Sequence, residues 1–281
     1  MTHFHADFVS GHYDLSVKTG AQIIYGPTAK ADIPIIAAED NQVFQLGKIG
    51  IRTMHTPGHT MESACWVIED NGKDECVFTG DTLFLGEVGR PDLAVKSGSI
   101  TKEDLAGFLY DSLRNKVMKL DHEVVVFPAH GAGSPCGKKI ADGTYCTIGK
   151  QLANNYALQD MTKEAFINDL TQNIPAPPQY FFHDVAYNRS KIIAVDEVIS
   201  NSFHLKPLPT PEEIAKEKLV LIDTRTPKEF EAGHIPNTLN LPLTVNYAIW
   251  AGTLFPASTK FFIIAPKGKE KESIIRLARI G

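Results

Sequence analysis

Three short apolar runs, each closed by a cluster of polar residues, organise the first half of the chain. Ile49 to Met54 leads into His55-Thr56-Pro57-Gly58-His59-Thr60, Glu75 to Thr79 into Gly80-Asp81-Thr82, and Glu123 to Phe127 into Pro128-Ala129-His130-Gly131. Their length and Val/Ile/Phe content predict buried strands stopped by Gly or Pro turn chemistry. Groups on strand ends and on the loops beyond them are held by a stiff scaffold yet stay open to solvent, the usual address of catalytic side chains in layered α/β folds. Thr101, with Glu103 and Asp104 behind it, predicts a capped helix running to about Leu120. A helical pattern returns from Gly149 to about Asn173 and stops at Ile174-Pro175-Ala176-Pro177-Pro178.

The second half reads differently. Leu205-Lys206-Pro207-Leu208-Pro209-Thr210-Pro211 is proline-spaced, and proline fixes φ and removes amide donors, so the stretch is extended. Beyond it, Leu219 to Asp223 and Phe261 to Ala265 read as strands. Thr226-Pro227-Lys228-Glu229-Phe230 starts a short helix with proline in its first turn, and Glu270 opens another. The expected organisation is a catalytic α/β domain over 1–195, a proline-containing linker over 196–209 and a partial α/β domain over 210–281. Composition narrows the class. At 43% hydrophobic and 22% charged residues the chain can bury a sizeable core, and a formal net charge of −5 gives no basic footprint for nucleic acid. No apolar run reaches the roughly 20 residues that span a bilayer, so no membrane partner is expected. The start, MTHFHADF, lacks the basic and apolar regions of a signal peptide. Four cysteines without CxxC spacing suit reduced thiols in a cytoplasm.

The histidines change the picture most. On an extended segment His3, His5 and Asp7 share a face, and two imidazoles with a carboxylate are costly to cluster unless something compensates them. A solvated polar loop would explain this motif alone. A lone strand-end His59, Asp81 or His130 is likewise most simply a cap or turn residue. Four such stations in one chain, each with N or O donors suited to a first-row metal, point instead to a metal site. Arg90 follows Asp81 on its loop and Lys138 follows His130, so either could clamp a carboxylate or phosphate of a substrate. Cys136, flanked by Gly137 and near Lys138, could have a lowered pKa and exchange sulfur with a substrate. Tyr145 and Tyr156 could reach the same pocket, with core packing the simpler role for both.

THFHAD, TPGHT, TGDTLF and PAHG resemble, in order, the successive metal-binding motifs of the metallo-β-lactamase fold over roughly residues 1–190. DFVSGH, FLGEVGRPDL and GAGSPCGK resemble, more narrowly, the persulfide dioxygenase branch, in the bacterial form fused to rhodanese-like domains. The resemblance implies an αββα sandwich lacking its N-terminal strands, then a partial rhodanese-like domain, with truncation at both ends. It also implies one Fe(II) per chain held by His3, His59 and Asp81, with His5, Asp7 and His130 as supporting groups or additional ligands. Hydrolytic members hold two metals and place a histidine directly after the first-motif Asp, where this chain has Phe8. The implied reaction oxidises the terminal sulfur of a small thiol persulfide with O2 to sulfite and free thiol, a sulfide-detoxifying step. Substrate-binding groups would then be Arg90, Cys136, Lys138 and Tyr145. Rival readings are a zinc thioester hydrolase of the glyoxalase II type and a non-catalytic sulfur-carrier or docking protein. A homo-oligomer is left open. Leu221-Ile222-Asp223-Thr224-Arg225 with Gly233-His234-Ile235-Pro236 resembles the start of a rhodanese domain. No cysteine follows Cys146, so a covalent persulfide relay within this part of the chain is excluded.

Overall fold

A computed structural model describes residues 1–95, 99–244 and 246–281, and the chain divides into two compact units. The first contains Met1–Phe4 and Gly20–Pro177, the second His5–Thr19 and Pro178–Gly281. This division by packing falls earlier than the proline-containing segment 196–209, and it assigns residues 5–19 to the second unit.

The first unit is built on a six-stranded sheet. Its strands are β1 (Val43–Leu46), β2 (Ile49–His55), β3 (Ala64–Asp70), β4 (Lys73–Gly80), β5 (Val125–Pro128) and β6 (Cys146–Thr147), in the order β6-β5-β4-β3-β2-β1. Neighbours are antiparallel except β4 and β5, whose parallel register sets Val77 against Val126. Asn71 and Gly72 take positive φ, 51° and 76°, and close β3 to β4 as the two-residue turn that matches strand twist.

Strand residues alternate between faces, so Met54, Cys65, Val67, Val77 and Val126 share one face. That face is buried with Leu109 and Leu113 of helix α1 (Lys102–Asn115) and with Phe166 and Leu170 of helix α3 (Lys163–Thr171), while helix α2 (Ile148–Asn154) adds Ile148. Each buried Leu or Phe removed here would cost about 2–5 kcal/mol, because the transfer energy is lost and a cavity remains.

Local chemistry explains where the expected elements end. Thr101 and Asp104 form a reciprocal capping box at the start of α1. The helix stops at Asn115, and a 3-10 turn over Val117–Lys119 completes the stretch towards Leu120. The long helix expected from Gly149 to Asn173 is broken in the middle. The Asn155 side chain accepts from Ala157 N at 3.0 Å, which starts a 3-10 turn, and Thr162 then caps α3 separately. The linker expected over 196–209 begins with a helix, Val195–Ser202, with Asp196 and Glu197 in its first turn, and the proline-spaced stretch expected to be extended is free of helix and strand up to Thr210, Pro211 opening the next helix.

The second unit holds a parallel three-stranded sheet, β8-β7-β9, from β7 (Val220–Asp223), β8 (Leu239–Asn240) and β9 (Phe261–Ile264). Its elements also include helices α4 (Tyr180–Tyr187), α5 (Pro227–Ala232), α6 (Tyr247–Leu254) and α7 (Glu270–Ala278). Ile222, Leu241, Tyr247 and Ala251 form its core. Thr226 and Glu229 cap α5 reciprocally, and Pro227 sits at its first turn, where no amide donor is needed.

Candidate metal centre

Three loops of the first unit converge. β2 ends at His55, and Thr56-Pro57-Gly58 turns the chain so that His59 is 1% exposed. β4 ends at Gly80 and presents Asp81, also 1% exposed. Thr56 Oγ1 and Thr82 Oγ1, 2.9 Å apart, tie these two loops together, and Ser112 Oγ donates to Pro57 O at 2.8 Å. His3 comes from the segment before the sheet, which is pinned by Ala64 N donating to Thr2 O at 2.9 Å and by Phe4 N donating to Glu62 at 3.2 Å.

One nitrogen each from His3 and His59 and one Asp81 carboxylate oxygen lie within 4.8 Å of one another. Asp81 Oδ2 is 3.4 Å from His59 Nε2 and 3.9 Å from His3 Nε2, while Oδ1 is 3.4 Å from His130 Nε2. Neither carboxylate oxygen receives a hydrogen bond among the described residues. A buried carboxylate in that condition is costly. Ligand atoms on one first-row ion sit about 2 Å from it and so about 3 Å from each other, close to the spacing found here. The buried carboxylate and its imidazole neighbours therefore fit a divalent metal.

Electrostatics point the same way. Burial alone would push the Asp81 carboxyl up, but the imidazoles of His3 and His59, with His130, hold it far below the usual carboxylate range. The His59 Nδ1 is 2.9 Å from the carbonyl of Arg90. A carbonyl only accepts, so Nδ1 carries the proton and the Nε2 lone pair faces Asp81. Gly89 makes this approach feasible: a Cβ there would lie 1.9 Å from the carbonyl oxygen of Asp81.

The other residues singled out in the sequence are distributed more widely. His130 is at the Oδ1 side of Asp81, its ring 5.8 Å from that of Phe84. His5 and Asp7 belong to the second unit, where the His5 ring lies 4.4 Å from Phe8. There the Asn188 amide donates to the carbonyls of His5 and Phe8, both at 2.8 Å, and its oxygen accepts from Ser10 N.

Cys136 is buried, and its carbonyl accepts from Arg90 N at 3.0 Å. The Arg90 guanidinium is occupied within the unit, by both oxygens of Asp92 and by the carbonyls of Pro135 and Pro175. Lys138 Nζ donates to Asp169 O at 2.7 Å. Tyr145 is 62% exposed, its ring 5.9 Å from Phe127. Sequence reasoning missed Glu87 and the Arg90 carbonyl. An acid inside the apolar loop Leu85-Gly86-Glu87-Val88 was the available signal for the first; a backbone acceptor leaves none.

Residues 1–130 match the metallo-beta-lactamase superfamily and residues 210–274 match the rhodanese-like domain. A solved metallo-beta-lactamase from Staphylococcus aureus subsp. aureus COL is similar over 100% of this chain and 81% of that one, with TM-score 0.88 and 27% identity. ETHE1 from Myxococcus xanthus shares the fold over 67% of this chain and 74% of that one, with TM-score 0.55 and 24% identity. An uncharacterized protein of Mycobacterium leprae is 35% identical over 42% of this chain and 50% of its own length. A hydroxyacylglutathione hydrolase of Francisella tularensis subsp. novicida is 33% identical over 46% of this chain and 47% of its own length. The chain spans about half the length of the curated relatives it matches. No helix among the described residues is long and apolar enough to cross a membrane.

Proposed function

From a metallo-β-lactamase superfamily domain joined to a rhodanese-like domain, we propose an Fe(II)-dependent persulfide dioxygenase with His3, His59 and Asp81 as the protein ligands to one iron. The observation that carries the reading is the buried Asp81 carboxylate, which faces two imidazole nitrogens through Oδ2 and receives no hydrogen bond among the described residues. Two histidines and one carboxylate leave several coordination positions open, as a non-haem iron oxygenase requires and a closed structural zinc site does not. Phe8 stands where hydrolytic members place a further histidine ligand, and a phenyl ring cannot ligate. When bound, ferrous iron would supply the redox step coupling dioxygen to the terminal sulfur.

The overall change balances as RSSH plus O2 plus H2O giving RSH plus sulfurous acid, which ionises to sulfite. The chain's own residues orient and exclude. The Arg90 carbonyl fixes the His59 tautomer, and burial of His3, His59 and Asp81 keeps bulk water from the carboxylate.

A second reading is favoured by a specific contact. His130 Nε2 sits 3.4 Å from Asp81 Oδ1, so His130 and Asp81 would help to hold a second metal, and matched relatives include a hydroxyacylglutathione hydrolase. Under that reading the chain is a zinc thioester hydrolase. The test is anaerobic reconstitution with Fe(II), then oxygen uptake on addition of glutathione persulfide. Uptake that scales with bound iron, yields sulfite and disappears in His59→Ala supports the dioxygenase. Iron-loaded protein that consumes no oxygen with glutathione or coenzyme A persulfide contradicts it.

A further inference from the structure

Glu87 is 2% exposed, and it hangs three segments of the first unit together. Its Oε1 accepts from the Tyr156 hydroxyl at 2.7 Å and from Val88 N at 3.0 Å, and its Oε2 accepts from Lys139 N at 3.0 Å. These donors are all neutral. Burial, then the negative charge of Glu87, pushes the Tyr156 hydroxyl up, so it remains a donor to the carboxylate. Asn155 adds a bond from Nδ2 to the Glu87 carbonyl at 3.1 Å.

The effect is a zipper between loop 85–90 and loop 135–141. Ala141 N donates to Leu85 O at 2.9 Å, Lys139 N to Glu87, Arg90 N to Cys136 O at 3.0 Å, and Arg90 Nη1 to Pro135 O at 3.2 Å. Glu87 is the side chain in the middle of it. At the end of the same loop is the Arg90 carbonyl, which accepts a hydrogen bond from His59 Nδ1.

We propose that Glu87 is a positioning residue of the metal centre: by fastening these loops to each other and to Tyr156, it holds the Arg90 carbonyl against His59 and so keeps Nε2 turned to the metal. The inference rests on reading His59 as a ligand and is independent of which reaction the metal supports. Removing the carboxylate leaves the buried Val88 N and the partly buried Lys139 N and Tyr156 hydroxyl without their acceptor and lets loop 85–90 move. The His59 ring then loses its fixed orientation, although neither Glu87 nor Tyr156 touches the ion.

The test reads metal binding rather than turnover. Zn(II) affinity is measured by competition with a chromophoric chelator, and the Co(II) absorption spectrum reports ligand geometry. Glu87→Ala is expected to weaken Zn(II) by about ten- to hundred-fold and to alter the Co(II) bands, as loss of an outer partner of a metal-bound histidine does. Glu87→Gln keeps an acceptor for Tyr156 but sets an amide N–H against Lys139 N–H, and recovers part of the affinity. Tyr156→Phe removes one bond and shifts affinity the same way by a smaller factor; it decides the matter if Glu87→Ala does not fold. Wild-type affinity with an unchanged Co(II) spectrum, in whichever of these variants folds, overturns the proposal. His59→Ala separates the two ideas. If it too binds metal normally, the ligand reading falls; if it loses metal while Glu87→Ala does not, the positioning role alone falls.

Discussion

Two strand-end aspartates, one in each unit, are fully buried and have opposite surroundings. Asp223, at the end of β7, accepts from the Arg225 backbone amide at 3.0 Å and from the Arg225 guanidinium through both oxygens. Asp81, just beyond β4, receives no hydrogen bond among the described residues and faces three imidazoles. The first carboxylate is a structural pin whose charge is already answered. The second has its neighbours arranged at ligand spacing around a place where a cation would answer it. Burial and strand-end position are shared, so the difference between pin and ligand lies in whether donors are supplied by the protein. Asp184 on α4 shows a third solution. It is fully buried beside His183, and burial, with Asp7 adding to it, lifts its carboxyl to about 7, so it is held largely neutral below that pH.

Substitutions at these aspartates would break the comparison or sharpen it. The largest effect is expected from Asp81→Ala, which removes the proposed carboxylate ligand and should abolish stoichiometric metal, read by metal analysis after dialysis, while the apo chain keeps its helix and strand signal in circular dichroism. Asp223→Ala should do the reverse. It leaves the partly exposed Arg225 guanidinium and the Arg225 amide without their acceptor and should lower the stability of the second unit in denaturant unfolding, with metal content per folded chain unchanged.

Asp184→Asn should act through pH. A carboxyl raised in the folded state contributes stability that is fully present below the unfolded value near 4 and is lost as pH rises through about 7. The asparagine variant should lack that decline and exceed the natural chain at pH 8 by on the order of 2 kcal/mol. Parallel stability curves from pH 4 to 8 would show that Asp184 titrates normally. The smallest effect concerns the N-terminal cap of α1. Thr101→Ala removes the capping box with Asp104 and should cost about 1 kcal/mol without altering metal content.

Much of this was legible because the chain punctuates it. His59, Asp81 and His130 each follow an apolar run at a Gly or Pro turn, and the strands before them lie where those runs predict, with ends shifted by a residue or two. The caps Thr101 and Thr226 were equally plain, since a small hydroxyl residue before an acidic first turn has few other uses. The break at Asn155 was not. Its side chain competes with the helix for Ala157 N, and an asparagine inside a helical pattern does not announce which it will choose. Nor could Arg90 be assigned from residue type. A guanidinium on a loop suggests a substrate clamp, whereas here it is bound to Asp92 and two carbonyls, and the residue reaches the site through its own backbone oxygen. The outer partners of a metal ligand depend on loop packing, and spacing in the sequence carries little of that.

The proposed iron, held by Asp81, His3 and His59, would oxidise a persulfide. The most direct measurement offers the same anaerobically iron-loaded chain two substrates in parallel, glutathione persulfide in an oxygen electrode and a glutathione thioester in a hydrolysis assay. Oxygen uptake and sulfite in proportion to bound iron are expected, with about one iron per chain and no thioester cleavage. Thioester cleavage without oxygen uptake, strongest with two zinc ions per chain, would contradict that proposal and favour a zinc hydrolase.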